Sequence, residues 1–152
     1  MNDSMEQKLL YFEDVELGRR WVSSRRTVAD KDIMQFAGLS GDFNPLHVDE
    51  EFAKKGIFGK RIAHGLLGLS IASGLPSSEP SWFILAFMGL DWRFTKPIFI
   101  GDTVYCVSEV KRRKDAGADR GVVVLERKLL NQQDEVVQEG TFTLLVRKRN
   151  ET

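Results

Sequence analysis

The chain has 152 residues, which is enough for one domain with one sizeable core, and no linker rich in Pro, Gly or Ser divides it. Basic and acidic residues number 22 each, and a formal net charge of zero gives no electrostatic footprint for nucleic acid or an anionic membrane. Cys106 is the only cysteine, which excludes an internal disulfide and a cysteine-based metal site and favours a reducing compartment.

The N-terminal segment carries acids where a signal peptide has a basic region followed by an apolar run. We therefore expect a cytoplasmic protein. We also expect a single domain over residues 1–152, in which residues 1–8 and 148–152 are flexible tails.

The first half of the chain predicts one strand followed by helical segments. Arg20–Val28 alternates loosely, which indicates a strand. Residues 27–30 offer helix-capping chemistry, and Gly38 and Gly41 stop the helix that follows. A second, short helix is expected at residues 49–52.

A third helix is predicted over Ile62–Leu75, within the longest uncharged run of the chain. Both of its faces are uncharged, so we expect it to be buried nearly all round. Its glycines lower helix propensity, and close backbone approach explains them better.

The second half predicts four long strands, Trp82–Phe94, Thr103–Lys111, Val122–Leu130 and Val136–Val146, joined by short turns. Trp82–Phe94 is expected in the sheet core because aromatic and β-branched residues dominate it. Helices followed by consecutive antiparallel strands predict an α+β fold in which a curved sheet of about five strands wraps around the third helix. A second subunit is expected to cover the rest of that helix, which predicts a homodimer.

The chemistry of the chain is concentrated where Asp42 and His47 flank Asn44-Pro45. Because proline disfavours helix at the preceding residue, the segment must turn there, and a turn can aim both side chains into one space. A carboxylate and an imidazole that share one water form an acid–base pair, which suits the addition of water across a double bond and does not exclude hydrolysis.

His64-Gly65 opens the third helix, and the first N–H groups of a helix have no partner inside it. Because Gly65 lacks a Cβ atom, a substrate oxygen can approach its N–H and be stabilised there as an oxyanion. Gly65 can also serve helix packing alone. His64 lies on an apolar helix and is expected to be a hydrogen-bonded packing residue.

The segment SGDFNPLH, followed by an IAHGLL helix, resembles the MaoC-like, or R-specific, enoyl-CoA hydratases of the hot-dog fold. The resemblance covers Val28 to about Val110, including the segment FTKPIFIGD. It implies that Asp42 and His47 activate a water that adds to C3 of a trans-2-enoyl thioester, giving an (R)-3-hydroxyacyl thioester. The reaction needs no cofactor and no metal, because a CoA or acyl carrier protein thioester is itself the substrate.

The resemblance also implies roles for three further residues. Asn44 would brace the loop and the water, and Gly65 N–H would polarise the thioester carbonyl. Ser73 matches a family serine that contacts the catalytic aspartate, although it could instead bond back within its own helix. Four basic residues near the motifs could meet CoA phosphates, but a solvated surface is the expected place of Lys60, Arg61, Arg93 and Lys96.

Two other functions remain open at this point. A hot-dog thioesterase would release free CoA thiol, and a non-catalytic acyl-CoA-binding relative would bind thioesters without turnover. Asp42, His47 and His64 could also bind a metal, although a fourth ligand is lacking. The motif belongs to the hydratase branch, which favours a hydro-lyase over a thioesterase, and the intact Asp42–His47 pair is the feature against a non-catalytic protein.

Overall fold

The computed structural model of the protein describes residues 9–149, which form one antiparallel sheet and a set of helices. The strands are β1 (Arg20–Val22), β2 (Arg26–Thr27), β3 (Ile84–Phe94), β4 (Thr103–Asp115), β5 (Arg120–Leu130) and β6 (Val136–Arg147). The helices are a 3₁₀ turn (Phe12–Asp14), α1 (Asp30–Ser40), α2 (Pro45–Val48), α3 (Glu50–Lys54) and α4 (Gly65–Gly74). The strand order is β1-β4-β5-β6-β3, and β2 also pairs with β4. The predicted α+β class is confirmed.

The strand predicted over Arg20–Val28 is two short strands, β1 and β2, that both pair with β4. Between them, the Ser23 hydroxyl accepts a hydrogen bond from the Cys106 amide at 2.8 Å. The Ser24 amide donates instead to the Pro76 carbonyl at 2.8 Å. The backbone pairing with β4 is interrupted there because the Ser24 amide bonds to Pro76, which lies outside the sheet.

Of the two glycines predicted to stop the first helix, Gly38 lies inside it, and the helix continues to Ser40 and ends at Gly41, which has φ = 81°. Glycine reaches this left-handed conformation without steric cost and ends a helix there. The helix begins where the Asp32 carboxylate accepts a hydrogen bond from the Ala29 amide at 2.8 Å. The short predicted helix is α3, and the Asp49 carboxylate caps it by accepting from the Phe52 amide at 3.0 Å.

The central helix α4 begins three residues later than predicted. Ile62 forms a bridge with Phe99, and the Ala63 amide donates to the Ile98 carbonyl at 2.8 Å, so these residues are extended. The helix buries Leu67, Gly68, Ile71 and Ala72 against the sheet, but Gly65, Leu66, Ser70 and Ser73 are exposed on its other side. The expectation that the helix is buried nearly all round is therefore wrong for one protomer.

The four long strands occur where the sequence predicted them, but β3 does not lie in the sheet core. It pairs only with β6 and forms one edge of the sheet. Its large apolar side chains are between 41% and 56% exposed at Ile84, Leu85, Phe87, Met88, Leu90 and Phe94. An apolar edge of this length is unusual in a protein that remains a monomer.

The core lies between α4 and the sheet, and Cys106 is part of it, as expected for a small apolar residue. Burial raises the pKa of the Cys106 thiol. Of the residues expected in flexible tails, Lys148 and Arg149 hydrogen-bond to the body of the protein, and the others lie outside the described residues. No helix in the described part of the chain is long and apolar enough to cross a membrane.

Close approach explains the glycines at two positions of α4, but the neighbouring atoms belong to side chains, whereas the sequence predicted close approach of another backbone. A Cβ atom on Gly68 would lie 2.2 Å from Nε2 of Gln138 and 2.8 Å from Cδ1 of Ile98. A Cβ atom on Gly65 would lie 2.9 Å from the Phe94 ring. Gly74 has no such neighbour.

We expect Gly68→Ala to lower the free energy of unfolding by about 1–3 kcal/mol, because the added methyl group must displace Gln138 and Ile98. Gly38→Ala is the matched control, since Gly38 lies inside α1 with open space around it. That variant should gain up to about 1 kcal/mol from helix propensity. Urea unfolding measures both changes, and an unaffected Gly68→Ala protein would contradict the close packing of α4 on the sheet.

Candidate active site

The loop between α1 and α2 is built to present Asp42 and His47 together. Gly41 ends α1, and the Asp42 Oδ1 atom accepts a hydrogen bond from the Asn44 amide at 3.1 Å. Asn44 then caps α2 by accepting from the Leu46 amide at 3.0 Å, with Pro45 in the first helical position. One turn of helix later, the His47 ring faces Asp42. Each feature follows from a residue suited to it, because Asn is a preferred cap and Pro is favoured at the first position.

The two side chains of the predicted pair face each other across a short gap. His47 Nε2 lies 3.9 Å from Asp42 Oδ2, and the side chains are 12% and 51% exposed. This separation is too long for a direct hydrogen bond, but one water can bond to both atoms. The predicted convergence of the carboxylate and the imidazole is therefore present in one protomer.

The backbone decides which nitrogen of His47 is available for chemistry. Nδ1 lies 2.8 Å from the carbonyl oxygen of Ile62. Because a carbonyl can only accept, Nδ1 must carry the proton, and in the neutral ring Nε2 keeps its lone pair. The nitrogen that faces Asp42 can therefore accept a proton from a water between them.

His64 packs against the loop that carries Asp42 and His47. Its ring is 2% exposed and stacks on His47 with 3.9 Å between ring centroids. Nε2 lies 2.9 Å from the carbonyl oxygen of Asp42, which assigns the proton to that nitrogen. The buried Nδ1 atom has no hydrogen-bond partner among residues 9–149. His64 thus acts as the hydrogen-bonded packing residue that the sequence predicted.

Gly65 begins α4 beside a cleft of about 310 Å³, which Phe58, Phe94 and Lys96 also line. Asp42 and His47 do not line this cleft. The Phe94 ring lies against Gly65, so packing alone would also require glycine here. The Gln138 side chain donates to the Gly65 carbonyl at 3.0 Å and accepts from Trp92 Nε1 at 2.9 Å, which fixes the first turn of the helix.

Arg61 is a site residue that sequence reasoning missed, because it was expected on a solvated surface. Its side chain is only 13% exposed. Nε donates to the carbonyl of His47 at 2.6 Å, and Nη2 pairs with Asp30 at 2.6 Å, so the guanidinium ties α2 to α1. No periodicity or motif spacing marks this role, since it depends on the path of the loop. The other three basic residues are half-exposed or exposed and contact nearby groups: Lys60 lies over Phe99, Arg93 pairs with Glu139 and Lys96 pairs with Glu135.

Ser73 does not join the site within one protomer. Its hydroxyl donates to the carbonyl of Ser70 at 2.7 Å, which is the bond within the helix that the sequence left open. It lies eight residues beyond Gly65, or about 12 Å along the helix axis. The contact with Asp42 that the family resemblance implies is therefore not made by the serine of the same chain.

Asp42, His47 and His64 each offer a potential metal-ligand atom, and these atoms lie within 4.8 Å of one another. A metal held there would have three protein ligands, one of them an exposed carboxylate. Both histidines already use one nitrogen for a backbone carbonyl, which leaves each ring one nitrogen for a ligand or a proton. The expectation that no metal is needed stays a prediction.

The sequence profile of the family described as MaoC like domain matches residues 15–133, which include the whole Asp42–His47 loop and α4. The chain belongs to the MaoC-like domain family. It is 38% identical over 96 residues to the (R)-specific enoyl-CoA hydratase of Rhodospirillum rubrum, in an alignment that covers 63% of the chain and 66% of that protein. It is 32% identical over 120 residues to the (R)-specific enoyl-CoA hydratase of Aeromonas caviae, covering 79% of the chain and 87% of that protein.

Not every relative is matched over its whole length. The chain spans about two thirds of the Rhodospirillum rubrum protein, and the alignment with Protein MaoC of Klebsiella aerogenes covers 31% of that protein. This MaoC-like chain therefore corresponds to one part of some of its relatives.

Solved structures support the fold of this MaoC-like chain. A structure described as a monoamine oxidase regulatory protein from Archaeoglobus fulgius superposes with a TM-score of 0.87 at 41% identity and covers 93% of this chain and 96% of that one. A Mycobacterium tuberculosis protein described as having a double hotdog fold gives a TM-score of 0.79 at 17% identity, covering 95% of this chain and 46% of that one. The predicted hot-dog fold is confirmed.

We expect Asn44→Ala to lower the free energy of unfolding by about 1 kcal/mol, because the variant loses the cap of α2. Asn44→Asp is the matched control, since it retains an acceptor for the Leu46 amide. Urea unfolding of the three proteins measures the effect. Equal stability of Asn44→Ala and the unmodified protein would show that the cap does not hold this loop.

Proposed function

We propose that the chain catalyses the reversible, (R)-specific hydration of trans-2-enoyl-CoA to (R)-3-hydroxyacyl-CoA, as a hydro-lyase without a cofactor. The observation that supports this most directly is the Asp42–His47 pair, 3.9 Å apart, in which the lone pair of His47 Nε2 points toward the carboxylate. Relatives named (R)-specific enoyl-CoA hydratase or 3-hydroxybutyryl-CoA dehydratase support the same activity.

In the proposed reaction, one water binds between Asp42 Oδ2 and His47 Nε2. One member of the pair removes a proton from the water as its oxygen bonds to C3 of the enoyl group. A proton delivered to C2 from the pair then completes the addition and restores both residues, so that the net change is H and OH across one double bond. Asn44 holds the loop through its cap and thereby positions the water.

Negative charge develops on the thioester oxygen during this addition. We assign its stabilisation to the Gly65 amide, which lies at the positive end of α4 and has no acceptor inside the helix. Because Gly65 lacks a Cβ atom, a substrate oxygen can approach its N–H closely. Loss of one such donor in other enzymes costs about 3–4 kcal/mol of transition-state stabilisation.

The site is open in one protomer, which supports the proposed homodimer. Asp42 is half-exposed, as are the apolar side chains of Phe43, which follows it, and Leu66 in the first turn of α4. The edge strand β3 offers unpaired backbone groups and a row of exposed apolar side chains to a second copy. Antiparallel pairing of β3 with its counterpart would extend the sheet and cover both strands.

Two-fold pairing of β3 has a consequence for the ends of α4. In an antiparallel pair, the beginning of one strand lies beside the end of the other. Ile84 at the start of β3 would then approach Phe94 of the partner subunit, which packs against that subunit's Gly65. Ser73 lies near the start of β3, because Ser73 and Ile84 line one cleft at the C-terminal end of α4. We therefore assign the contact between Ser73 and the catalytic aspartate to residues of different subunits.

We expect Asp42→Asn and His47→Ala each to lower kcat for hydration of crotonyl-CoA by a factor of about 10²–10⁴, because each removes one member of the acid–base pair. Loss of absorbance of the conjugated thioester measures the rate. Asp49→Asn is the matched control, since Asp49 is an acid of the same segment whose capping role asparagine can keep. Full turnover in either Asp42 or His47 variant would refute the assignment.

The same assay separates the alternative functions. A thioesterase would release free CoA thiol, which a thiol reagent detects, and a non-catalytic protein would bind crotonyl-CoA without consuming it. Dialysis against a chelator should leave the hydration rate unchanged. A rate lost on chelation and restored by a divalent cation would instead assign a metal to Asp42, His47 and His64.

We expect Met88→Lys to shift the protein from a dimer toward the 17.3 kDa single chain in sedimentation velocity, because it places charge on the apolar edge of β3. Leu17→Lys is the matched control, since Leu17 is 66% exposed outside the sheet edge. A dimer that survives Met88→Lys would place the subunit contact elsewhere.

A further inference from the structure

Arg127 is a partly buried cation that the proposed reaction does not use. It lies on the face of the central strand β5 that points to the core, in the same alternation as Val123, Leu125 and Leu129, which are 0–1% exposed. Its Nε atom is buried and has no hydrogen-bond partner among residues 9–149. An arginine in this register is unusual, because removing a charge from water costs free energy unless a partner compensates it.

The contacts that Arg127 does make compensate only part of that cost. One Nη1–H donates to the carbonyl of Ala72 in the last turn of α4 at 3.0 Å, and the guanidinium lies over the Phe142 ring, 4.8 Å from its centroid. No carboxylate lies within ion-pair distance of Arg127 in the described part of the chain. Burial lowers the pKa of this guanidinium, although an arginine keeps its proton at neutral pH.

Arg127 lines a cleft of about 340 Å³ at the C-terminal end of α4. The walls combine apolar side chains with three serines, and they include the rings of Trp21 and Trp82, which pack edge to face with centroids 5.7 Å apart. Glu79 is the one acidic residue in the lining, and Arg19 pairs with it at 2.7 Å. The cleft therefore offers one positive charge without an ion-pair partner, beside both apolar side chains and serine hydroxyls.

We propose that this cleft binds an organic carboxylate, with Arg127 as its counter-ion. A planar guanidinium matches a carboxylate, and a single cation balances its single charge, whereas the second negative charge of a phosphate ester would have no counter-ion beside Arg127. The tryptophans and leucines of the cleft suit the hydrocarbon part of such an acid.

The carboxylate can come from two sources. It can be a free carboxylic acid, or it can be the far end of the acyl chain of a thioester substrate. The second source rests on the proposed function and on the proposed dimer, in which two-fold pairing of β3 brings this cleft toward Gly65 of the partner subunit. The thioester would then be an enoyl-CoA whose acyl chain ends in a carboxylate.

Binding is tested by tryptophan fluorescence, because Trp21 and Trp82 both line the cleft. We expect propionate to change the emission of the unmodified protein in a saturable way, whereas propionamide, its uncharged counterpart, has no effect. Arg127→Met should abolish the response, and Arg127→Lys should weaken it. Arg112→Met removes an exposed arginine of β4 and should respond as the unmodified protein does. Circular dichroism verifies that each variant is folded.

Kinetics distinguish the two sources. A series of trans-2-enoyl-CoAs of increasing length is assayed in pairs that end in a carboxylate or in a methyl group. If the acyl chain is the source, Arg127→Met lowers the ratio of kcat/KM values, carboxylate over methyl, by about 10- to 100-fold at one chain length, and Arg112→Met leaves the ratio unchanged. Propionate binding with an unchanged ratio would assign a free acid to the cleft. If propionate does not bind and the ratio does not change, the proposal is overturned. Hydration of crotonyl-CoA would still test the proposed function separately.

Discussion

The hydrogen bond from His47 Nδ1 to the Ile62 carbonyl is the contact on which the site depends. It joins α2 to the extended residues that lead into α4, so it sets the position of the Asp42–His47 loop relative to the start of that helix. It also decides the chemistry, because a proton held on Nδ1 leaves Nε2 as the reactive nitrogen. Ile62 is held in turn by its bridge to Phe99. The reactive atom is thus oriented by the backbone of the fold and not by another titratable group.

Small residues in α4 allow the helix and the sheet to share this site. At Gly68, the Gln138 side chain occupies the space that a Cβ atom would need, and from there it bonds to the carbonyl of Gly65 and to Trp92. The first turn of α4 is therefore tied to β3 and β6 through one amide side chain. This arrangement keeps the first turn of the helix in place while its outer face, including Leu66, remains open.

The sequence predicted the parts of the structure that depend on local chemistry. Asn44-Pro45 predicted the turn, and Gly41 predicted the end of α1. The GDFNPLH segment predicted that Asp42 and His47 converge. It did not predict what depends on distant contacts. Ile62 and Ala63 read as helix because they are apolar, but their backbone groups bond to residues 98–99. The apolar pattern of β3 indicated burial, but it cannot distinguish a strand covered by its own chain from one exposed at an edge. Arg61 looked like surface because burial of a guanidinium requires partners, here the His47 carbonyl and Asp30, that only the fold supplies.

Gly65 and Arg127 mark the two ends of α4, where the helix dipole has opposite signs. At the first turn, the amide groups are free and favour a developing negative charge. At the last turn, a carbonyl of the helix is already bound by a cation, which interacts favourably with the negative end of the helix dipole. That interaction alone is a weak reason to bury an arginine, since an exposed basic residue near the helix end would give it without the desolvation cost of several kcal/mol. With the roles proposed for Gly65 and Arg127, both ends of the helix would favour an anion, one a transient oxyanion and the other a permanent carboxylate. If two copies of the chain pair through β3, a single thioester with a charged acyl terminus could meet one end from each subunit.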